Sequence, residues 1–307
     1  MNKEAELTRS IDNPDFLVMA GSRLYGTKTQ ESDHDYRGFT IPPFEYLAGL
    51  ARFEQKVIRE PDIVIYSLKR FFELLISGDP LCYEILFAPE PNIIERTDVG
   101  GTVLRNRSLF ACKQFARRIG GYAESEWRKV TGTQLVPIKR TSNEDTVVEN
   151  IRQVFHPGKE SMDEIIRLLF MNHQMETRKT NRKLGAKRKK QIKLHGYCTS
   201  SACHTIRLLD QLKELMDTGN ITFPCPRAEL LLSIKQGELN LDEVSTLYEY
   251  AKLDANNAEK GSDLPDKPPV NQIHTLYNEI IADAVLSNPR AIIYKDRYAQ
   301  RNLKAWQ

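Results

Sequence analysis

Gly21-Ser22-Arg23-Leu24-Tyr25-Gly26, followed after a polar stretch by Ser32-Asp33-His34-Asp35-Tyr36-Arg37-Gly38, is the segment on which the reading of the chain turns. Ahead of it, Phe16-Leu17-Val18-Met19-Ala20 is a short apolar run whose length and bounding glycine indicate a buried strand. Gly26 to Ser32 reads as a turn. Residues 33–41 alternate charged with apolar or aromatic side chains, as a second strand does, and Pro42-Pro43 stops it because proline cannot donate to a ladder. Strand side chains change face at every residue, so Asp33, Asp35 and Arg37 share one face while His34 and Tyr36 fall on the other.

That arrangement suits phosphate and metal chemistry. A strand running into Gly-Ser leaves backbone N–H groups free at the bend. Glycine lets a phosphate approach the backbone, and the Ser22 hydroxyl adds a donor. Two carboxylates on one face suit Mg²⁺, which prefers hard oxygen ligands and keeps waters for substrate phosphates. Two such ions about 3.5–4 Å apart can clamp both oxygens of an in-line phosphoryl displacement. A third carboxylate is expected from the next strand. Asp62 opens it (Asp62-Ile63-Val64-Ile65-Tyr66) and is the first candidate; Glu60 is the fallback and Glu84 a weaker option.

Beyond Tyr66, Ser67 has the chemistry of a helix N-cap, with Leu68, Phe71, Phe72 and Leu75 forming an apolar stripe that Gly78 ends. Asp79-Pro80 can start a second short helix. From about residue 104 the pattern is mainly helical. Ser161 and Glu164 have capping-box spacing, and further helices are expected over 201–217, 227–236, 242–258 and from Val270 to Leu286. The fold class is therefore α+β: a small mixed-sheet domain over 1–103, then a mainly helical domain over 104–307.

The 307 residues carry 44 Lys or Arg against 41 Asp or Glu, with 40% hydrophobic residues. A chain of this size buries a core without disulfides or a structural metal. No run approaches the roughly 18 apolar residues of a membrane span. The first residues lack the apolar stretch of a secretory signal, and the five scattered cysteines do not form a disulfide framework. These features favour a cytoplasmic protein with no membrane partner. The positive charge is concentrated: residues 178–193 hold nine Lys or Arg and no acid, leaving 35 basic against 41 acidic side chains elsewhere. Such a run reads as a loop or the exposed end of the preceding helix. Lys187, Arg188, Lys189 and Lys190 are its candidate contacts to a nucleic-acid backbone; a solvated charge run is the alternative.

Three other motifs fail on spacing. Gly21-x4-Gly26 lacks the lysine directly after the second glycine that a P-loop needs. Asp33-x-Asp35-x-Arg37 starts like an EF-hand but places a cation at the fifth position. His195, Cys198, Cys203 and His204 have no standard zinc spacing.

The pattern G-S-x-x-Y-G…S-D-x-D-x-R-G resembles the nucleotidyltransferase superfamily of DNA polymerase beta type, and more narrowly its RNA-repair-pathway branch. Weaker likeness continues through Gly78-Asp79-Pro80, Glu84-Ile85-Leu86, His204-x-x-Arg207, Gly237-Glu238-Leu239 and Leu264-Pro265. Ser200-Ser201 stand where that branch leads one to expect a lysine. The resemblance implies a Mg²⁺-dependent transferase, with two ions expected and Mn²⁺ a substitute. It would move a nucleoside monophosphate from an NTP to an acceptor hydroxyl, with an RNA end as the leading acceptor. Asp33, Asp35 and Asp62 would hold metal and carry catalysis. Gly21, Ser22, Arg23, Arg37, His204 and Arg207 would address the nucleotide. Transfer to a small molecule or protein hydroxyl, and a non-catalytic nucleotide-binding module, are the alternatives.

Overall fold

The computed structural model describes residues 3–30, 32–130, 133–137, 175–179 and 185–287. The expected helix at Ser161 and the segment after Pro289 lie outside the described residues. The chain divides into two compact units, Met1–Glu124 with Cys203–Gln307, and Ser125–Ala202. The elements run α1 (Lys3–Asp12), β1 (Phe16–Met19), α2 (Gly21–Tyr25), β2 (Asp35–Thr40), α3 (Phe44–Leu47), β3 (Gln55–Arg59), β4 (Asp62–Ser67), α4 (Leu68–Ile76), α5 (Pro80–Leu86), β5 (Ile93–Arg96), α6 (Asp98–Arg105), α7 (Lys113–Val130), β6 (Thr133–Pro137), β7 (Met175–Lys179), α8 (Ala186–His195), α9 (Thr199–Thr218), α10 (Ala228–Gln236), α11 (Leu241–Gly261) and α12 (Val270–Leu286).

In the first unit the strands form one five-stranded sheet in the order β3-β4-β2-β1-β5. β2 and β4 are parallel and the other neighbours antiparallel, so the sheet is mixed and the fold is α+β, as expected. The parallel crossover puts the first residues of β2 and β4, Asp35 and Asp62, side by side. Aromatic side chains lock the sheet to its covering helix: Phe16 stacks on Phe39 at 5.4 Å and Phe39 on Phe71 at 4.6 Å. The stripe of α4, Leu68, Phe71, Phe72 and Leu75, is at most 3% exposed, each side chain contributing about 1.5–3 kcal/mol by leaving water. Both expected caps form. Ser67 Oγ accepts from the Arg70 amide at 3.1 Å, and Asp79 Oδ1 accepts from the amides of Leu81 and Cys82 at 3.0 and 3.2 Å.

Several elements differ from the sequence reading. β2 begins at Asp35, not Asp33, because the ladder to β1 begins at Tyr36 and the ladder to β4 at Asp35; Asp33 and His34 are exposed. The bend after β1 is a single helical turn, α2. The edge strands β3 and β5 are mostly exposed, so neither shows the alternation that marks a half-buried strand. The helices expected from residue 201 onward appear as α9 to α12, and Gly219 and Gly237 follow α9 and α10 with φ of +71° and +79°.

In the second unit β6 pairs antiparallel with β7. Part of the basic run is helical rather than a loop: α8 carries Lys187 to Lys190 and closes on Gly196 in the left-handed region. Its residues are good helix formers. Gln191 anchors it by donating to Ser200 Oγ at 2.6 Å and accepting from the Cys198 thiol at 3.3 Å. Among the described residues no helix is long and apolar enough to cross a membrane.

Candidate active site

Asp35 and Asp62 are adjacent in register across the parallel pair, and both carboxylates face the Arg37 guanidinium. Arg37 sits on the face of Asp35, as the two-residue alternation requires. It donates to Asp62 Oδ2 at 2.7 Å and to the Asp62 carbonyl at 2.9 Å, and lies 3.9 Å from Asp35 Oδ1. His34 and Tyr36 share the opposite face, their rings stacked at 6.4 Å. Burial pushes the Asp35 carboxyl above its ordinary value, Arg37 opposes this, and the charges of Asp62 and Asp33 push it further up. Three acids therefore accumulate negative charge at the mouth of β2 with one arginine against them.

Gly21 completes this corner. Its φ is +64°, and a Cβ there would stand 1.9 Å from Asp35 Oδ2. The carboxylate thus occupies the volume a side chain would need, and glycine answers both constraints. The Ala20 amide donates to the Asp35 carbonyl at 2.8 Å, tying the strand end to the bend. Ser22 and Arg23 follow in the first turn of α2, where backbone amides have no partners within the helix. Arg23 Nε is buried and unpartnered among the described residues.

The far end of α2 rests on a charged cluster that the sequence reading did not assemble. Tyr25 Oη donates to Glu84 Oε2 at 2.5 Å. Arg207 donates to Glu84 Oε1, and its guanidinium lies 3.7 Å from the centre of the Tyr25 ring. The Arg207 side chain is 3% exposed and that of Glu84 is 4%. Glu84 therefore does not serve as a third metal carboxylate; it is held by Arg207 and Tyr25. Arg207 also donates to Gln211 Oε1 at 3.2 Å and to His204 Nδ1 at 2.8 Å, and its burial leaves the guanidinium facing protein. Burial works against the charge of Arg207, but Glu84 outweighs it and holds the guanidinium more firmly protonated. Arginine cannot accept a hydrogen bond, so Nδ1 of His204 is the acceptor and its proton sits on Nε2. His204 also lines a cavity of about 190 Å³ with Asp79, Arg118 and Tyr122. A signal for the cluster was present: Glu84 is a lone charge among Cys82, Tyr83, Ile85 and Leu86, and a charge in an apolar run needs a buried partner.

Of the residues singled out in the sequence, Gly21, Asp35, Arg37 and Asp62 meet at one corner. Asp33 lies close enough to act on Asp35 through its charge, while remaining exposed on the segment leading into β2. Glu60 falls in the exposed turn before β4. Among the described residues, no group of three or more His, Cys, Asp and Glu side chains is drawn together tightly enough to hold an ion. Lys187, Arg188, Lys189 and Lys190 are in the second unit; the three lysines are exposed, and Arg188 is 3.8 Å from Glu126 Oε2.

A 38.9 kDa protein of Enterobacteria phage T4, named as uncharacterized and encoded in the nrdC-mobD intergenic region, is 24% identical over 274 residues, covering 71% of this chain and 81% of that protein. No solved structure matches the chain. The family model RlaP, described as the RNA repair pathway DNA polymerase beta family, matches residues 15–267, and the chain belongs to that family.

Proposed function

We propose that this protein is a metal-dependent nucleotidyltransferase that moves a nucleoside monophosphate from an NTP to the hydroxyl of an RNA end. The observation that carries the reading is the in-register pair Asp35–Asp62, bridged by Arg37, over a glycine that has no room for a side chain. Two adjoining carboxylates, with a third acid within electrostatic reach, form a hard-oxygen donor set that suits Mg²⁺, or Mn²⁺ in its place. Asp35 and Asp62 would hold the metal, with Asp33 closing on it from the segment before β2. Bound there, a divalent ion supplies charge neutralisation for the developing oxyanions of phosphoryl transfer.

The other residues orient the nucleotide. The amides of the α2 first turn and the Ser22 hydroxyl would address the triphosphate, with the half-buried Arg23 guanidinium as a charged donor beside them. Arg37 fixes the Asp62 rotamer and limits repulsion between the carboxylates while no cation is present. Lys187 to Lys190 supply sequence-independent attraction for the acceptor's phosphates. His204, which lines the 190 Å³ cavity, would contribute to nucleotide binding from there.

The experiment is labelling of an RNA pool with NTP and Mg²⁺, comparing the parent with Asp33→Asn, Asp35→Asn and Asp62→Asn. The parent is expected to label, and each variant to lose at least about 100-fold, more than loss of an outer-shell group commonly costs. Undiminished labelling by Asp35→Asn or Asp62→Asn overturns the assignment.

A further inference from the structure

Beside β5, the edge strand of the sheet, and the start of α6 lies a concavity of about 790 Å³. Its charged lining is Arg96, Arg105 and Arg107 against Glu90 and Asp98, and Leu104 is its one large apolar side chain. Outside residues 178–193 the chain holds more acids than bases, 41 against 35, so three guanidiniums in one hollow run against their surroundings.

The pairing of these charges decides what the hollow can take. Arg96 donates to Glu90, and the two cancel. Asp98 begins α6, where a negative charge is answered by the helix dipole. Arg105 is drawn back over the preceding turn: a Cβ on Gly101 would stand 3.2 Å from its Nη1, and Nη2 donates to Thr102 Oγ1 at 2.9 Å. The Arg107 guanidinium lies 5.5 Å from the centre of the buried Phe87 ring. A ring attracts a cation without using its N–H groups. A guanidinium has five such donors; Arg105 spends one on Thr102, and no acid among the described residues pairs with Arg105 or Arg107. The hollow therefore presents two positioned, unpaired arginines, both exposed at their surface.

We infer that this hollow grips the sugar-phosphate backbone of the RNA acceptor, with Arg105 and Arg107 each taking one phosphate. Forked donors match phosphate oxygens in pairs. A small-molecule pocket is mostly apolar and encloses its ligand; this lining is polar and its arginines are exposed, which suits a chain passing across it. Such contacts fix position without reading sequence. Unlike α8, the hollow belongs to the unit that carries the catalytic corner. Arg96 is opposite Phe16 in the ladder, five residues before Gly21, so the grip lies roughly 15 Å along the strand direction from the bend. The inference rests on the reading of the acceptor as RNA and adds a second contact to it.

The test is fluorescence anisotropy of a labelled RNA hairpin with the full chain, in chelator and without NTP, at three salt concentrations. Arg105→Gln combined with Arg107→Gln is expected to weaken binding about tenfold near 0.15 M salt and to lower the log–log salt slope by about 1.5, the loss of two phosphate contacts. Lys252→Gln combined with Lys260→Gln removes the same charge from α11 and is expected to bind as the parent does. Thermal unfolding of both variants should match the parent. If the arginine pair unfolds early, Arg105→Gln alone carries the test, with about half the slope change. Parent-like binding by the arginine variants overturns the inference, as does an equal loss in the lysine variant or a parent that binds no RNA. A poly-glutamate peptide that binds as tightly as RNA of equal charge, and loses as much with the arginines, makes this an acidic-protein surface and overturns it too. With no nucleotide present, failed labelling leaves this result standing, and parent-like binding by the arginine variants leaves nucleotidyl transfer untouched.

Discussion

Asp35 is held in an environment that disfavours its charge, chiefly through burial and then through Asp62 and Asp33, with Arg37 opposing. A carboxyl raised in the folded state stabilises the fold fully below its unfolded value near 3.8 and loses that contribution as pH rises through the folded value. At neutral pH, with chelator present to exclude metal, Asp35→Asn should therefore melt higher than the parent, by about 1–3 °C. The gap should shrink towards zero as pH falls below 4. Differential scanning calorimetry across pH 3–8 checks both the sign and the window. Gly21→Ala should act in the opposite sense. The added Cβ meets the Asp35 carboxylate and the residue is forced to positive φ, so it should cost about 1–3 kcal/mol in a denaturant titration and reduce labelling together with stability. Most of this corner was legible in the sequence, because strand alternation alone places Asp35 and Arg37 on one face. The position of Asp33 was not, since alternation says nothing about where hydrogen bonding to the neighbouring strands begins.

At the scale of elements, the short helix α2 is held at both ends. Asp35 and Gly21 meet at its start. At its end Tyr25, Glu84 and Arg207 join α2, α5 and α9, and Lys235 Nζ donates to the Thr27 carbonyl at 2.8 Å just beyond. Removing one partner of a buried ion pair leaves the other uncompensated and costs about 3–5 kcal/mol, whereas replacing both with apolar groups costs far less. Arg207→Met should accordingly lower Tm by about 5–10 °C, and adding Glu84→Leu should recover at least half of that loss. If the single variant melts like the parent, the cluster does not hold α2 in place. Helices with strong amphipathic or capping signals, α4, α5, α9 and α12, were legible from residues such as Ser67, Asp79 and Leu75. The helical turn of α2 was not, because its five residues are too few for a period to show, nor were β3 and β5, whose exposed faces carry no alternation.

At the scale of the whole molecule, the catalytic candidates and the basic helix belong to different compact units. If Lys187 to Lys190 attract the acceptor, replacing all four with Gln should raise the apparent RNA KM about tenfold near 0.15 M salt and flatten its salt dependence by up to three log–log units, leaving kcat unchanged; steady-state kinetics at three salt concentrations separate the two parameters. The class of fold was legible because strand signals cluster before residue 67 and helical ones after it. The pairing of Glu84 with Arg207 was not, since 123 positions separate them and only the folded chain brings them together. The account rests on transfer of the nucleotide's α-phosphorus, and the most direct measurement supplies the protein, Mg²⁺ and an RNA acceptor with NTP labelled at either the α or the γ position. Label should enter RNA from the α position alone and vanish on chelation; transfer from the γ position, or no transfer from either with any of the four NTPs, contradicts it.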